Sequence, residues 1–93
     1  MSDAAALQDF AADGREFRKL RLKNGDVVTA SIYLREAPEG YAGTLRFKTS
    51  GLTIQLPVGS VASKSRVVAL KLLWKLVREQ KKVEEKGWQW VTA

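Results

Sequence analysis

Cations and aromatic rings recur at alternate positions in the first half of this sequence: Phe17, Lys19 and Arg21, then Tyr33 and Arg35, then Arg46 and Lys48. Alternation is the period of a β-strand, so each set projects from one side of its strand. Ammonium and guanidinium groups bind phosphates, and rings stack on nucleobases for about 1–3 kcal/mol per base. Together they are the means by which proteins hold single-stranded nucleic acid. A second set, Lys71, Lys75, Arg78 and Lys82, has the spacing of one side of a helix and can follow a phosphate backbone. A third lies in residues 59–66, where Gly59, Ser60, Ser63, Lys64, Ser65 and Arg66 offer amide hydrogens, hydroxyls and cations to an anion, without Walker spacing. Each set also has a plainer origin. A wet sheet face carries Lys, Arg and Thr in any case, a charge run is the solvated side of a helix, and serines cap helices.

Catalytic chemistry is poorly provided for. The sequence has no cysteine and no histidine, which removes thiol nucleophiles, thiolate metal sites, the commonest general base and the usual zinc ligand together. Glu36 and Glu39 fall in a turn, Glu84 and Glu85 point apart on a helix, and Ser63-Lys64-Ser65 is contiguous where a dyad needs convergence. The expectation is a protein that is not an enzyme and has no cofactor and no metal.

Charge is unevenly spread. Asp3, Asp9, Asp13 and Glu16 oppose only Arg15 near the start, yet the whole chain carries a net charge of +6, so everything after Glu16 is strongly basic. A basic body attracts polyanions. An acidic arm lying over it would compete with them, and removing residues 1–13 would then tighten binding at low salt. With no apolar run of membrane-spanning length and no secretion-type start at Met1, no membrane partner is expected and the cytoplasm is the expected compartment.

The elements that must position these side chains follow from turns and periodicity. At 93 residues the chain supports one core. Residues 1–14 read as an acidic arm or short helix with Ala4, Leu7, Phe10 and Ala11 on one face, which docks or frays. Residues 15–93 read as a single basic α+β domain. Strands are expected at 17–22 and 26–35, joined by a three-residue loop with Gly25 left-handed. The Asn24-Gly25 pair suggests a two-residue turn, but that register would put Leu20 and Leu22 on the face away from Val28 and Ile32. A turn at 37–40 leads to a strand through Thr49. Ser50-Gly51 then returns the chain into 52–58, an edge or ending strand because of Pro57.

Ser63 or Ser65 caps a helix expected to run to about residue 86, with Gly87 beyond it and one end overhanging the sheet. Val67, Leu70, Leu73, Trp74 and Val77 make one stripe, and Ala69, Leu72, Leu76 and Val83 widen it beyond what one sheet covers. Trp88-Gln89-Trp90-Val91 alternates like a short fifth strand. Its tryptophans close the core beside Trp74, or else serve as stacking platforms or interface anchors. Tyr41, between Gly40 and Gly43, is a further exposed aromatic candidate or a cover for the sheet rim.

The fold expected is thus a four-stranded antiparallel meander, with a short fifth strand at the end, packed on one long C-terminal helix. As architecture this resembles the small single-stranded DNA-binding domains of the Whirly type, in which a helix backs a curved sheet; the resemblance brings no motif, so no site is carried over. Two functions compete. One is a nucleic-acid-binding module, with Lys19, Arg21, Arg35, Arg46 and Lys48 on phosphates, Phe17 and Tyr33 on bases, and Lys71 and Lys75 as helix contacts. The other is a non-catalytic assembly module that forms a homodimer through the broad helix and the tryptophans.

Overall fold

A computed structural model describes residues 17–91. The acidic arm expected at residues 1–14 lies outside them.

Turn chemistry sets the register of the sheet. Between β1 (Phe17–Arg21) and β2 (Val27–Ala37), Gly25 has φ 94°, the Leu22 amide donates to the Asp26 carbonyl at 2.8 Å, and the Gly25 amide donates to the Leu22 carbonyl at 3.0 Å. Asn24 Oδ1 accepts from the Asp26 amide at 2.9 Å. The three-residue loop therefore forms, and Leu20 pairs with Val28. Between β3 (Gly40–Thr49) and β4 (Leu52–Val61), Ser50 and Gly51 take φ of 52° and 77°, the paired left-handed conformations of a two-residue hairpin turn. Thr49 pairs with Leu52, Phe47 with Ile54 and Leu45 with Leu56. Pro38 and Glu39 join β2 to β3, where Ala37 pairs with Gly40.

A fifth strand, β5 (Gln89–Val91), adds to the meander beside β1 with Leu20 opposite Trp90, and the order is β4-β3-β2-β1-β5. The edge position of β4 accommodates Pro57, which has no amide hydrogen to donate. The strand does not stop at Val58. It bulges there, between the Thr44–Pro57 and Gly43–Gly59 pairs, and continues to Val61. Val58 follows the alternation of Ile54 and Leu56 into the core, where it is buried, and the bulge resets the alternation beyond it so that Val61 falls opposite Tyr41.

Helix α1 (Arg66–Gln80) starts at Ser65, whose side chain accepts from the Val68 amide at 3.3 Å. Replacing Ser65 with Ala is expected to cost about 1 kcal/mol, read as a lower midpoint in thermal unfolding. The helix is shorter than its periodicity implies. Lys81 takes a left-handed φ of 56°, and a second, short helix α2 (Lys82–Glu85) follows. Tertiary contacts account for the break. Gln80 Nε2 donates to the Val58 carbonyl at 2.7 Å, Lys82 Nζ donates to the Pro57 carbonyl at 3.3 Å, and Val83 is wholly buried. The turn at Lys81 thus brings Val83 into the core, whereas a straight helix would have overhung the sheet. Gly87, φ 81°, then sends the chain back towards β1.

The helix stripe is narrower than expected. Ala69, Leu70, Leu73, Trp74 and Val77 are buried, but Val67 is 59% exposed and Leu72 40% exposed. They flank the buried arc at about 100° of rotation per residue, one beyond Trp74 and the other beyond Ala69. The core forms between this arc and Leu20, Ala30, Ile32, Leu45, Phe47 and Val58 of the sheet. Both tryptophans of the end join it: Trp88 meets Phe47 edge-on at 5.1 Å and Trp90 meets Trp74 at 5.9 Å. Among the described residues no helix is long and apolar enough to cross a membrane.

Candidate nucleic-acid interface

Because side chains alternate across a strand, packing Leu20, Val28, Ile32, Leu45 and Phe47 against α1 places their neighbours on the opposite face. That face carries Phe17, Lys19 and Arg21 from β1, Thr29, Ser31, Tyr33 and Arg35 from β2, Thr44, Arg46 and Lys48 from β3, and Thr53 and Gln55 from β4. One row runs straight across four strands, Phe17 to Ser31 to Arg46 to Gln55. Seven of the nine residues singled out in the sequence are therefore brought to one face.

Arg46 is its centre. The guanidinium lies 4.2 Å from the centroid of the Tyr33 ring, and its Nε donates to Gln55 Oε1 at 3.1 Å. The ring and the amide hold the guanidinium from two sides, which reduces the rotamer freedom that a lone surface arginine would lose on binding. Two shallow depressions, of about 600 and 680 Å³, share Tyr33 and Arg46 in their walls. Thr29, Ser31, Lys48 and Thr53 line the first together with Val27, Val28 and Phe47; Arg35, Glu36, Tyr41, Thr44 and Arg66 are among the residues that line the second. Lys19 Nζ donates to Thr29 Oγ1 at 2.7 Å and stands 6.0 Å from the ring centroid of Phe17, a residue that is 44% exposed.

Two details differ from the sequence reading. Tyr33 is half-buried with Arg46 across its ring, so the plane it presents outward on that side is the guanidinium rather than the phenol. Bases stack on arginine planes as they do on rings. Lys71 and Lys75 are exposed on α1, in the other layer of the fold, and do not join the sheet face. Lys82 leaves their ridge because the break at Lys81 directs its ammonium to Pro57.

The anion loop also dissolves into ordinary structure. Gly59, Ser60 and Val61 belong to β4, Ser65 caps α1, and Ser63 Oγ accepts from the Ser65 amide at 3.2 Å. Lys64 Nζ reaches the Pro38 carbonyl at 3.4 Å. Tyr41 is half-buried opposite Val61. Among the described residues no group of three or more His, Cys, Asp or Glu side chains gathers as metal ligands would.

One cation escaped the sequence reading. Arg18 sits at an inward register position, opposite Ala30, and its guanidinium lies 4.8 Å from the Trp74 ring centroid. Its alternation with Leu20 was the available signal, but a charge at an apolar position gives no hint of the ring that receives it.

The fold and the face define a class: an α+β domain whose antiparallel sheet is backed by a helix on one side and displays cations and aromatic rings on the other. Comparison with protein-family models, curated proteins and solved structures finds no match. The architectural resemblance to Whirly-type domains accordingly carries no argument about function.

Proposed function

We propose that this protein is a non-catalytic module that binds single-stranded nucleic acid on the basic face of its sheet. The observation that carries the reading is the Arg46 guanidinium held over the Tyr33 ring and tied to Gln55, with Lys19, Arg21, Arg35 and Lys48 around it. Phosphates lie along the cations, and bases stack on the Arg46 plane and on the exposed Phe17 ring. The cytoplasm is the compartment proposed, since a chain without cysteine needs no oxidising environment to form disulfides.

The test is a titration with a labelled single strand and a labelled duplex over a range of salt. Neutralising about four phosphates gives a log–log slope near ~−3 for the single strand, from roughly −0.7 per contact. Replacing Arg21 and Arg46 together with Ala is expected to shallow that slope by about half. Replacing Lys71 and Lys75 with Ala is expected to leave it unchanged. Equal loss from the helix pair would move the site to α1, and no binding at low salt would remove the proposal.

A second reading has one observation in its favour. Val68 and Leu72, one turn apart on α1, are 47% and 40% exposed, an apolar flank suited to a homodimer. Sedimentation at micromolar concentration distinguishes it: a salt-insensitive dimer that Leu72→Glu disrupts is the expected result for this reading.

A further inference from the structure

The two halves of the edge strand β4 are finished differently. From Pro57 onward its outer side is closed: Pro57 has no amide hydrogen, its carbonyl accepts from Lys82 Nζ, the Val58 carbonyl accepts from Gln80 Nε2, and the ladder bulges. Such devices keep an edge strand from pairing with another chain. The stretch from Leu52 to Leu56 has none of them. All five of its residues are uncharged, and Leu52, 63% exposed, is the most exposed large apolar side chain among the described residues.

Hairpin geometry fixes which backbone groups of this stretch point outward. Thr49 and Leu52, which close a two-residue turn, exchange both their hydrogen bonds, so alternation directs the groups of Ile54 and Leu56 to β3 and those of Thr53 and Gln55 away from it. Pro57 falls in the same outward phase as Thr53 and Gln55. The ladder to β3 therefore loses nothing by it.

We propose that β4 pairs antiparallel with β4 of a second copy about a twofold axis at Ile54. In that register Thr53 meets the partner's Gln55 and Gln55 meets the partner's Thr53, outward groups against outward groups, and each pair exchanges two hydrogen bonds. The neighbouring registers fail. An axis at Gln55 would set Thr53 against the partner's Pro57, which has no hydrogen to give, and an axis at Thr53 would set Gln55 against the partner's Gly51, in the turn. On the helix side, the Ile54 axis places Leu52 beside the partner's Leu56 and Ile54 beside the partner's Ile54, apolar pairs that cover the exposed leucine. Pro57 reaches only the partner's Gly51, so Lys82 keeps its carbonyl. On the other side, the row from Arg46 to Gln55 continues into the partner's Thr53 and the partner's Lys48, because those two pair within each copy. Two basic faces become one. The pairing itself needs no nucleic acid and is independent of what the face binds.

The test combines sedimentation with amide hydrogen exchange on the full chain, free of nucleic acid, over a roughly hundredfold range of concentration up to millimolar. A dimer is expected at the upper end, where exchange of the Thr53 and Gln55 amides is expected to slow about tenfold by mass action. Thr53→Pro removes one outward donor, as Pro57 already does, and is expected to weaken the dimer about tenfold or more. Leu52→Lys, at a position too exposed to matter for folding, is expected to weaken it about tenfold through the lost apolar pair. A monomer over the whole range would overturn the proposal. So would a dimer in which Thr53 and Gln55 still exchange as fast as in dilute solution. A dimer that Leu72→Glu dissolves and Leu52→Lys leaves intact would assign self-association to the flank of α1 and overturn it equally.

Discussion

Replacing Gly40 with alanine is expected to destabilise the domain by about 3 kcal/mol, the upper end of ordinary overpacking. A β-carbon at Gly40 would collide with the Val61 carbonyl oxygen and come within 2.5 Å of the Ser63 amide nitrogen and 2.7 Å of its carbonyl oxygen. All three are backbone atoms at the junction between β4 and α1, and Val61 is held by its pairing with Tyr41. None can rotate away. Gly43 makes the informative contrast: its β-carbon would lie 2.7 Å from Leu73 Cδ1 and 3.0 Å from Ile32 Cγ2, both side-chain atoms. Gly43→Ala is expected to cost only about 1–2 kcal/mol, because Leu73 can shift its terminal methyls. Urea unfolding of the two variants gives the comparison, with equal m-values and a clearly lower midpoint for Gly40→Ala. Equal midpoints would mean that the β4–α1 junction yields as readily as a leucine side chain.

Removal of the Tyr33 ring is expected to weaken single-strand binding about tenfold, the loss of one base stack, because the Arg46 guanidinium on which that base lies loses the ring beneath it, without changing the salt slope. A ring releases no counterions. Arg46→Ala is expected to weaken binding further and to reduce the slope by about 0.7, one phosphate contact. The stronger expectation concerns the pair. Since the guanidinium lies across Tyr33, removing the ring also frees Arg46 to leave its plane, so the two losses are expected to be less than additive in a double-mutant cycle. Tyr33→Phe keeps the ring and is expected to retain most of the affinity. Strict additivity would show that Arg46 and Tyr33 act separately.

Much of the fold was legible because its decisions are local. Gly25 needs a left-handed conformation, and only a three-residue loop puts it there with Leu20 and Val28 on one face. Ser50-Gly51 supports two successive left-handed residues and so imposes the Leu45–Leu56 register. Since a one-residue slip would reverse every side chain, these turns also decided which cations share the outer face. The nucleic-acid candidates on β1, β2 and β3 were thus placed together before any tertiary contact was known.

Length and contact were another matter. Helical periodicity continues through Lys81 in the sequence, and nothing local stops it there. The break belongs to the tertiary structure, because Gln80 and Lys82 find backbone carbonyls of the bulged edge strand and Val83 finds space in the core. The same break separates Lys82 from Lys71 and Lys75, so a ridge that spacing makes continuous is shorter in the fold. Stacking of Arg46 on Tyr33 and of Arg18 on Trp74 likewise required three dimensions, since each joins residues from different elements. Composition and alternation alone thus established an antiparallel sheet with one apolar and one basic face; which cation lies on which ring, and where the helix ends, depended on contacts between residues far apart in the chain, whose geometry no local period encodes.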